Sequence, residues 1–320
     1  MFLESAKKNA RNANLRLHAF LKCYQKKVWI FGNARSGTTW VSSMINHQGK
    51  FRELFEPFHP LRVEASSFLK PHYYLRGSDY DQHLCDFAKR VFSGNLLHPN
   101  VDLGTPRWRF HGLLSKDIYA NLFSYSICQR MPEIQPILLI RNPFSVVLSM
   151  ERAGWFDHPA QNLKAVVSQK KLIEDHLEPF LELIDEIRYD DNPLTKQILL
   201  WAIINYVPLR QFEKGSLYLC SYEELIEEPI EQANKLMAFI YSTGGHADLS
   251  RLKSVISRPS RVASSDFTKK RQEEPLDVML KNGNKAVIDR GLQILDRFGF
   301  SGLYPNGKTF CRREIGSFSD

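Results

Sequence analysis

One stretch narrows the fold more than any other: GNARSGTT, Gly32 to Thr39, lies between an apolar run and a segment of helical periodicity. Its glycines have the G-x-x-x-x-G spacing of a phosphate-binding turn, a motif that needs a strand before it and a helix after it. VWIF, Val28 to Phe31, reads as that strand, and a helix is expected from Thr38 to about Asn46. Backbone N–H groups of such a turn, together with the helix N-terminus, make an anion cradle. Taken by itself the turn is also compatible with a plain glycine connection between strand and helix.

The remaining pattern extends this unit into an α/β fold. ILLI, Ile137 to Ile140, is a short continuous apolar run of the kind found in buried parallel strands. A helix should begin at Pro143, because proline suits the first helical turn. SLYLCSY, Ser216 to Tyr222, reads as a third strand, followed by a helix from Ile230 to Tyr241. Long helical patterns cover Asn162 to Ile187 and Leu194 to Phe212, and a further helix is expected from Ser115 to Arg130. Gly49, Pro57 and Pro60 read as loop breakers, and Ser66 to Pro106 mixes weak helical periodicity with turns. Strands alternating with helices predict a P-loop-like three-layer fold, a central parallel sheet flanked by helices, with ligands at the carboxyl ends of the strands. Residues 1–27 form a basic helical lead-in to a single domain over 28–320.

The loop departs from the nucleoside-triphosphate form in one respect. Thr38 stands where the phosphate-gripping lysine belongs, and the cation is inside the turn as Arg35. A magnesium site would also need a strand ending in Asp, whereas ILLI ends in Arg141, which repels a metal and attracts a second phosphate. Eight residues on, two turns into the next helix, Ser149 returns to the face nearest that loop. Arg141 and Ser149 thus define an anion site separate from the first, and two such sites suit a nucleotide phosphorylated at both 3′ and 5′ positions. No metal is expected.

Charge and cysteine usage bound the setting. Forty-three Lys and Arg against 35 Asp and Glu leave a net +8, which favours polyanionic ligands or, more blandly, solubility. No nucleic-acid reader motif or basic–aromatic stripe accompanies the charge, so nucleic acid is not an expected partner. Five scattered cysteines without zinc spacing fit a reduced, cytoplasmic protein. No apolar run approaches the roughly 20 residues of a membrane helix. In the lead-in, Leu15, Leu17, Phe20 and Leu21 sit on roughly one helical face between Lys and Arg. That face either packs on the domain or makes a peripheral contact with an anionic membrane.

RSGTTW, Arg35 to Trp40, followed by RNPxxxxxS, Arg141 to Ser149, resembles the 5′-phosphosulfate and 3′-phosphate loops of sulfotransferases that use 3′-phosphoadenosine 5′-phosphosulfate (PAPS). The likeness runs from Val28 to about Tyr304 and includes Phe55-Glu56-Pro57, Lys116-Asp117, the run Ser221 to Leu225 and Arg297 to Phe300. Phe55-Glu56-Pro57 looks more like the carbohydrate and tyrosylprotein branches than the small-phenol branch. The resemblance implies a donor PAPS, a product 3′-phosphoadenosine 5′-phosphate (PAP), and an acceptor hydroxyl, with carbohydrate as first choice. It places the phosphosulfate on Ser36, Gly37, Thr38 and Thr39, and Arg35 at the bridging oxygen, where charge grows. Trp40 matches an adenine-packing position, with a core role as the alternative; Tyr222 matches a residue near the nucleotide or is simply buried. Ser260 and Lys270, in a basic stretch unlike the better-known form, stand for the loop that closes over the 3′ phosphate, or for a solvated face. Glu56, 21 residues after Arg35, takes the position of the general base, with His59 and His47 as rivals and Glu53 as a surface charge. Trp201 and Asn205 either border the acceptor cleft or pack their helix. An NTP-dependent small-molecule kinase is the enzyme alternative, and an inactive adaptor with the same fold the non-enzymatic one.

Overall fold

The structure is a computed structural model that describes residues 2–103, 109–156, 158, 161–241, 248–257, 274–308 and 310–312. Five strands, β1 (Lys26–Gly32), β2 (Phe51–Phe55), β3 (Gly112–Asp117), β4 (Ile134–Ile140) and β5 (Tyr218–Ser221), form one sheet. All neighbours are parallel and the order is β2-β3-β1-β4-β5. This is the expected α/β architecture, with β1 at the centre. Val28, Trp29, Ile30 and Phe31 are all fully buried because the sheet is covered on both faces. Trp29 and Phe31 enter one core, with Leu138 and Ile140 of β4, while Val28 and Ile30 enter the other, with Ile137 and Leu139. The alternation assigns every second residue to a different helical layer.

The helices are α1 (Phe2–Phe20), α2 (Thr38–Ile45), α3 (Gln82–Phe92), α4 (Ser124–Arg130) and α5 (Pro143–Arg152), then shorter pieces, the long helix Pro193–Gln211 and the helix Pro229–Tyr241. Helix α2 begins at the phosphate loop and α5 at Pro143, as the sequence indicates. Asn142 caps α5 by accepting from the Ser145 N–H.

Two strands depart from expectation. FRELF, Phe51 to Phe55, lies in a region taken for loops, yet it is edge strand β2 with both its charges buried. Arg52 pairs with Asp102 at 2.9 Å and donates to the Gly94 and Leu96 carbonyls, so its desolvation is offset by partners over 40 residues away. Glu53 is likewise no surface charge: it accepts from the Ser42 hydroxyl at 2.9 Å. Ser115 to Asp117, expected to open a helix, instead ends β3, and α4 starts only at Ser124. The stretch Asn162–Ile187 is broken into short segments, with a π-helical turn at Ile173–Leu177 and a tighter turn containing Pro179 directly after it.

Helix α1 also differs in its packing. Residues 15 and 17 lie about 200° apart around a helix, so Leu15 enters the core while Leu17 does not. Arg11 ties the helix to the domain by donating to the Asp102 carbonyl. Among the described residues no helix is long and apolar enough to cross a membrane.

Candidate active site

Each strand delivers a candidate site residue at or just beyond its carboxyl end, and the sheet order sets which of them meet. The loops after β1 and β4 are neighbours. Gly32 permits this: a Cβ there would lie 2.4 Å from the Leu139 carbonyl oxygen of β4. Gly37 holds φ at +96° at the start of α2, and a Cβ on it would strike the Tyr222 ring at 2.7 Å. Arg35 has left-handed backbone as well, at φ +67°. Ser36, Thr38 and Thr39 are buried around the turn.

The two anion loops are joined directly. The Arg141 guanidinium donates to the Arg35 carbonyl at 2.9 Å, and Arg35 Nε donates to the Ser149 hydroxyl at 3.1 Å. Burial, and after it the neighbouring Arg141 charge, push the Arg35 pKa below its ordinary value. Arg141 also lies 4.4 Å over the Tyr222 ring, and Tyr222 meets the Trp40 indole edge-on at 5.6 Å. Arg35, Trp40, Arg141, Ser149 and Tyr222 are thereby one cluster. Two buried polar atoms in it, Ser36 Oγ and Trp40 Nε1, have no hydrogen-bond partner among the described residues.

The long helix supports both loops from beneath. Trp201 Nε1 donates to the Arg141 carbonyl at 3.0 Å, and Asn205 Nδ2 donates to the Asn33 side chain at 2.8 Å. Both residues are fully buried and hold the loops after β1 and β4. In the sequence the two show only as a tryptophan and an asparagine four apart on one helix, with no sign of which loops they hold. The end of the segment 274–308 docks here too. Asn142 Nδ2 donates to the Gly307 and Lys308 carbonyls at 2.7 and 2.8 Å, and its N–H donates to half-buried Glu223 at 2.8 Å. Phe298 and Phe300, from the Arg297–Phe300 element, lie in the core against Phe180 and Trp201 and fix that segment's approach. Ser260 and Lys270, with the basic runs around them, lie outside the described residues.

A second cluster forms where β2 and β3 end. Phe55 pairs with Lys116 across the strands, and the next residue, Glu56, turns at φ +48° with its N–H donating to the Lys116 carbonyl at 2.7 Å. Lys116 Nζ donates to Glu56 Oε1 at 2.5 Å and sits 4.0 Å from the centre of the Phe55 ring. Glu56 Oε2 accepts no hydrogen bond among the described residues; Arg62 Nη1 and His59 Nε2 approach it at 3.7 and 3.9 Å. A cleft of about 330 Å³ opens beside it, lined by Phe55, Glu56, Arg62, Val63, Asn100 and Leu103. Asp117 holds the loop in place by accepting from the Phe58 N–H, Ser115 Oγ and Trp29 Nε1.

The two candidate histidines each have hydrogen-bond partners. His59 Nδ1 accepts from the Leu61 N–H at 3.2 Å, which leaves the ring proton on Nε2, and burial lowers its pKa to about 4. His47 sits beyond the far end of α2, donating from Nδ1 to the Met44 carbonyl and accepting at Nε2 from the Asp248 N–H. The strand-end aspartate beside β1 is Asp117, and its oxygens are already taken by three donors.

Trp155 and His158 link the clusters. The Arg35 guanidinium lies 5.9 Å from the Trp155 ring centre. Trp155 stacks on His158 at 5.4 Å and 17°. His158 is in turn within electrostatic reach of His59 and Arg62. This bridge was not legible in the sequence.

Comparison with known proteins matches residues 25–249 to the sulfotransferase domain family. Among solved structures, the chain is similar to the sulfotransferase domain of the Synechococcus PCC 7002 olefin synthase, at 15% identity and TM-score 0.45, covering 86% of this chain and 95% of that one. A sulfotransferase domain from the curacin biosynthetic pathway has 15% identity and TM-score 0.44, with 86% and 98% covered. A sulfotransferase from Alicyclobacillus acidocaldarius has 15% identity and TM-score 0.37, with 85% and 96% covered. No curated protein matches the chain.

Proposed function

The chain belongs to the sulfotransferase domain family, and from that premise we propose that it transfers a sulfuryl group from PAPS to an acceptor hydroxyl, with Glu56 as general base. The observation that carries the donor assignment is the joined pair of cationic loops, Arg35 with Ser149 and Arg141, placed at the adjoining ends of β1 and β4. Two guanidiniums over the N-terminal ends of α2 and α5 suit two phosphates rather than a metal-bound triphosphate. Ser36 Oγ and Trp40 Nε1, buried and unpartnered among the described residues, are polar atoms that a nucleotide would satisfy.

In-line displacement forms the bond from acceptor oxygen to sulfur, breaks the bridging bond to the 5′ phosphate, and passes the hydroxyl proton to the base. Arg35 and the turn amides stabilise the charge that grows on the bridging oxygen. Glu56 takes the proton on Oε2, the buried oxygen that accepts no hydrogen bond among the described residues, while Lys116 holds Oε1 and fixes the carboxylate's orientation. The acceptor class we carry is carbohydrate, on the Phe55–Pro57 element and on the polar rim of Arg62 and Asn100, which offers hydrogen bonds to hydroxyls. Ser260 and Lys270 remain the proposed lid over the 3′ phosphate.

Thermal denaturation with PAP, and separately with ATP and magnesium, tests this reading. PAP without metal should stabilise the fold, by about 2.7 kcal/mol at 100 times its Kd. Stabilisation by ATP with magnesium and none by PAP would transfer the site to phosphoryl chemistry.

A further inference from the structure

Helix α1 is fixed to the domain along one side and presents a different chemistry on the other. Leu15 is buried in the main core, and the His18 ring packs on Phe110 and Tyr24 at 5.9 and 6.2 Å. The opposite side carries Leu17 at 53% exposure, Phe20 at 82% and Leu21 at 59%. Residues 17, 20 and 21 recur at helical spacing, so the three make one patch at the end of the helix. Phe20 is the most exposed large apolar side chain among the described residues. Arg16 and Lys22, both exposed, flank the patch.

The charge around the patch identifies what covers it. Seven basic side chains and one acidic stand in the first 27 residues; Arg11 is held by the Asp102 carbonyl and Lys27 by Glu133, while Arg16 and Lys22 stand exposed beside the patch. We propose that this end of α1 docks on an anionic lipid surface, with Phe20, Leu17 and Leu21 entering the headgroup boundary and the surrounding cations meeting lipid phosphates. Apolar insertion combined with basic flanks is the composition of an interfacial anchor, and anionic lipids attract each nearby Lys or Arg. A second copy of the chain is disfavoured as occupant, since pairing the same patch would bring two strongly cationic segments together. The placement is compatible with catalysis. Phe20 precedes the first residue of β1, Lys26, by six positions, so the patch lies toward the amino ends of the strands, away from the candidate site.

Vesicle flotation of the full chain tests the proposal independently of sulfuryl transfer. Vesicles with about 30% phosphatidylserine in phosphatidylcholine should carry the protein, pure phosphatidylcholine should carry at least roughly tenfold less, and raised salt should release it. Phe20→Ser with Leu21→Ser should lower flotation at least roughly tenfold while leaving the melting temperature unchanged, because both side chains are exposed. No flotation with either lipid, equal flotation with both, or undiminished flotation of the double variant would each overturn the proposal. So would a dimer in light scattering that the double variant dissolves, which would assign the patch to a second copy.

Discussion

Glu56, on the wall of the cleft, is held in a left-handed backbone conformation; Lys116 claims one carboxylate oxygen, and the other is buried without a hydrogen bond among the described residues. Such a conformation costs a non-glycine residue on the order of 1 kcal/mol or more and persists because the surroundings enforce it. Here the enforcing contacts are the N–H bond to the Lys116 carbonyl and the ion pair itself. Glu56→Gln retains the shape and an acceptor for Lys116 but removes the proton acceptor. Its kcat should fall by about 10²–10⁴ with PAP affinity changed only a few fold. His59→Asn should lower kcat far less, because the ring's lone pair is spent on the Leu61 N–H. Steady-state kinetics of both variants, beside PAP titrations, separate the roles. Collapse of kcat in His59→Asn with full activity in Glu56→Gln would move the base to the histidine.

At the scale of elements, the two anion loops are built as one unit, and this changes what their variants should do. Arg141 reaches the Arg35 carbonyl, so Arg141→Ala should loosen the first loop as well as remove a 3′-phosphate contact. PAP affinity should drop by the roughly 1.5–3 kcal/mol of a charge-assisted bond; adenosine 5′-phosphosulfate, without the 3′ phosphate, should lose clearly less in parallel titrations. Equal losses would confine Arg141 to a structural role. Gly37→Ala meets both a positive φ and the Tyr222 ring, so it should displace Tyr222, lower the melting temperature and abolish PAP-induced stabilisation. Retained stabilisation by PAP would show that the loop needs neither contact. The same elements mark how far the sequence could be read. GNARSGTT and ILLI followed by Arg141 are local signals, since glycine spacing and continuous apolar runs depend on neighbours a few residues away. Strands β2 and β3 were hidden because Arg52, Glu53, Lys116 and Asp117 are ionisable side chains whose burial depends on tertiary partners, Asp102, Ser42, Glu56 and Trp29. The supports at Trp201 and Asn205 were hidden for a related reason, because the loops they hold lie 60 and 172 positions away in sequence.

For the whole molecule, two buried groups beside the candidate base couple stability to pH with opposite signs. Burial lowers the His59 pKa from 6.5 to about 4, with the Glu56 charge opposing part of that shift. Between those values the unfolded chain binds the proton and the folded one does not. The His59 contribution is therefore complete above pH 6.5 and is lost as pH falls toward 4. Asp117 behaves inversely. Burial raises its pKa from 3.8 to about 7 against the pull of its three hydrogen bonds, so the folded state keeps a proton that the unfolded state releases. Its contribution is complete below pH 3.8 and is lost as pH rises through 7. In the parent protein the two slopes oppose each other between about pH 4 and 6.5. Removing one group should expose the other. His59→Asn should lose stability as pH rises across that window, relative to the parent, whereas Asp117→Asn should gain it. Urea unfolding at several pH values between about 4 and 7.5 reads both slopes from the midpoints. Parallel profiles for the parent and both variants would mean that neither group changes its proton affinity on folding, and that the floor beneath Glu56 is less sealed from water than its packing indicates.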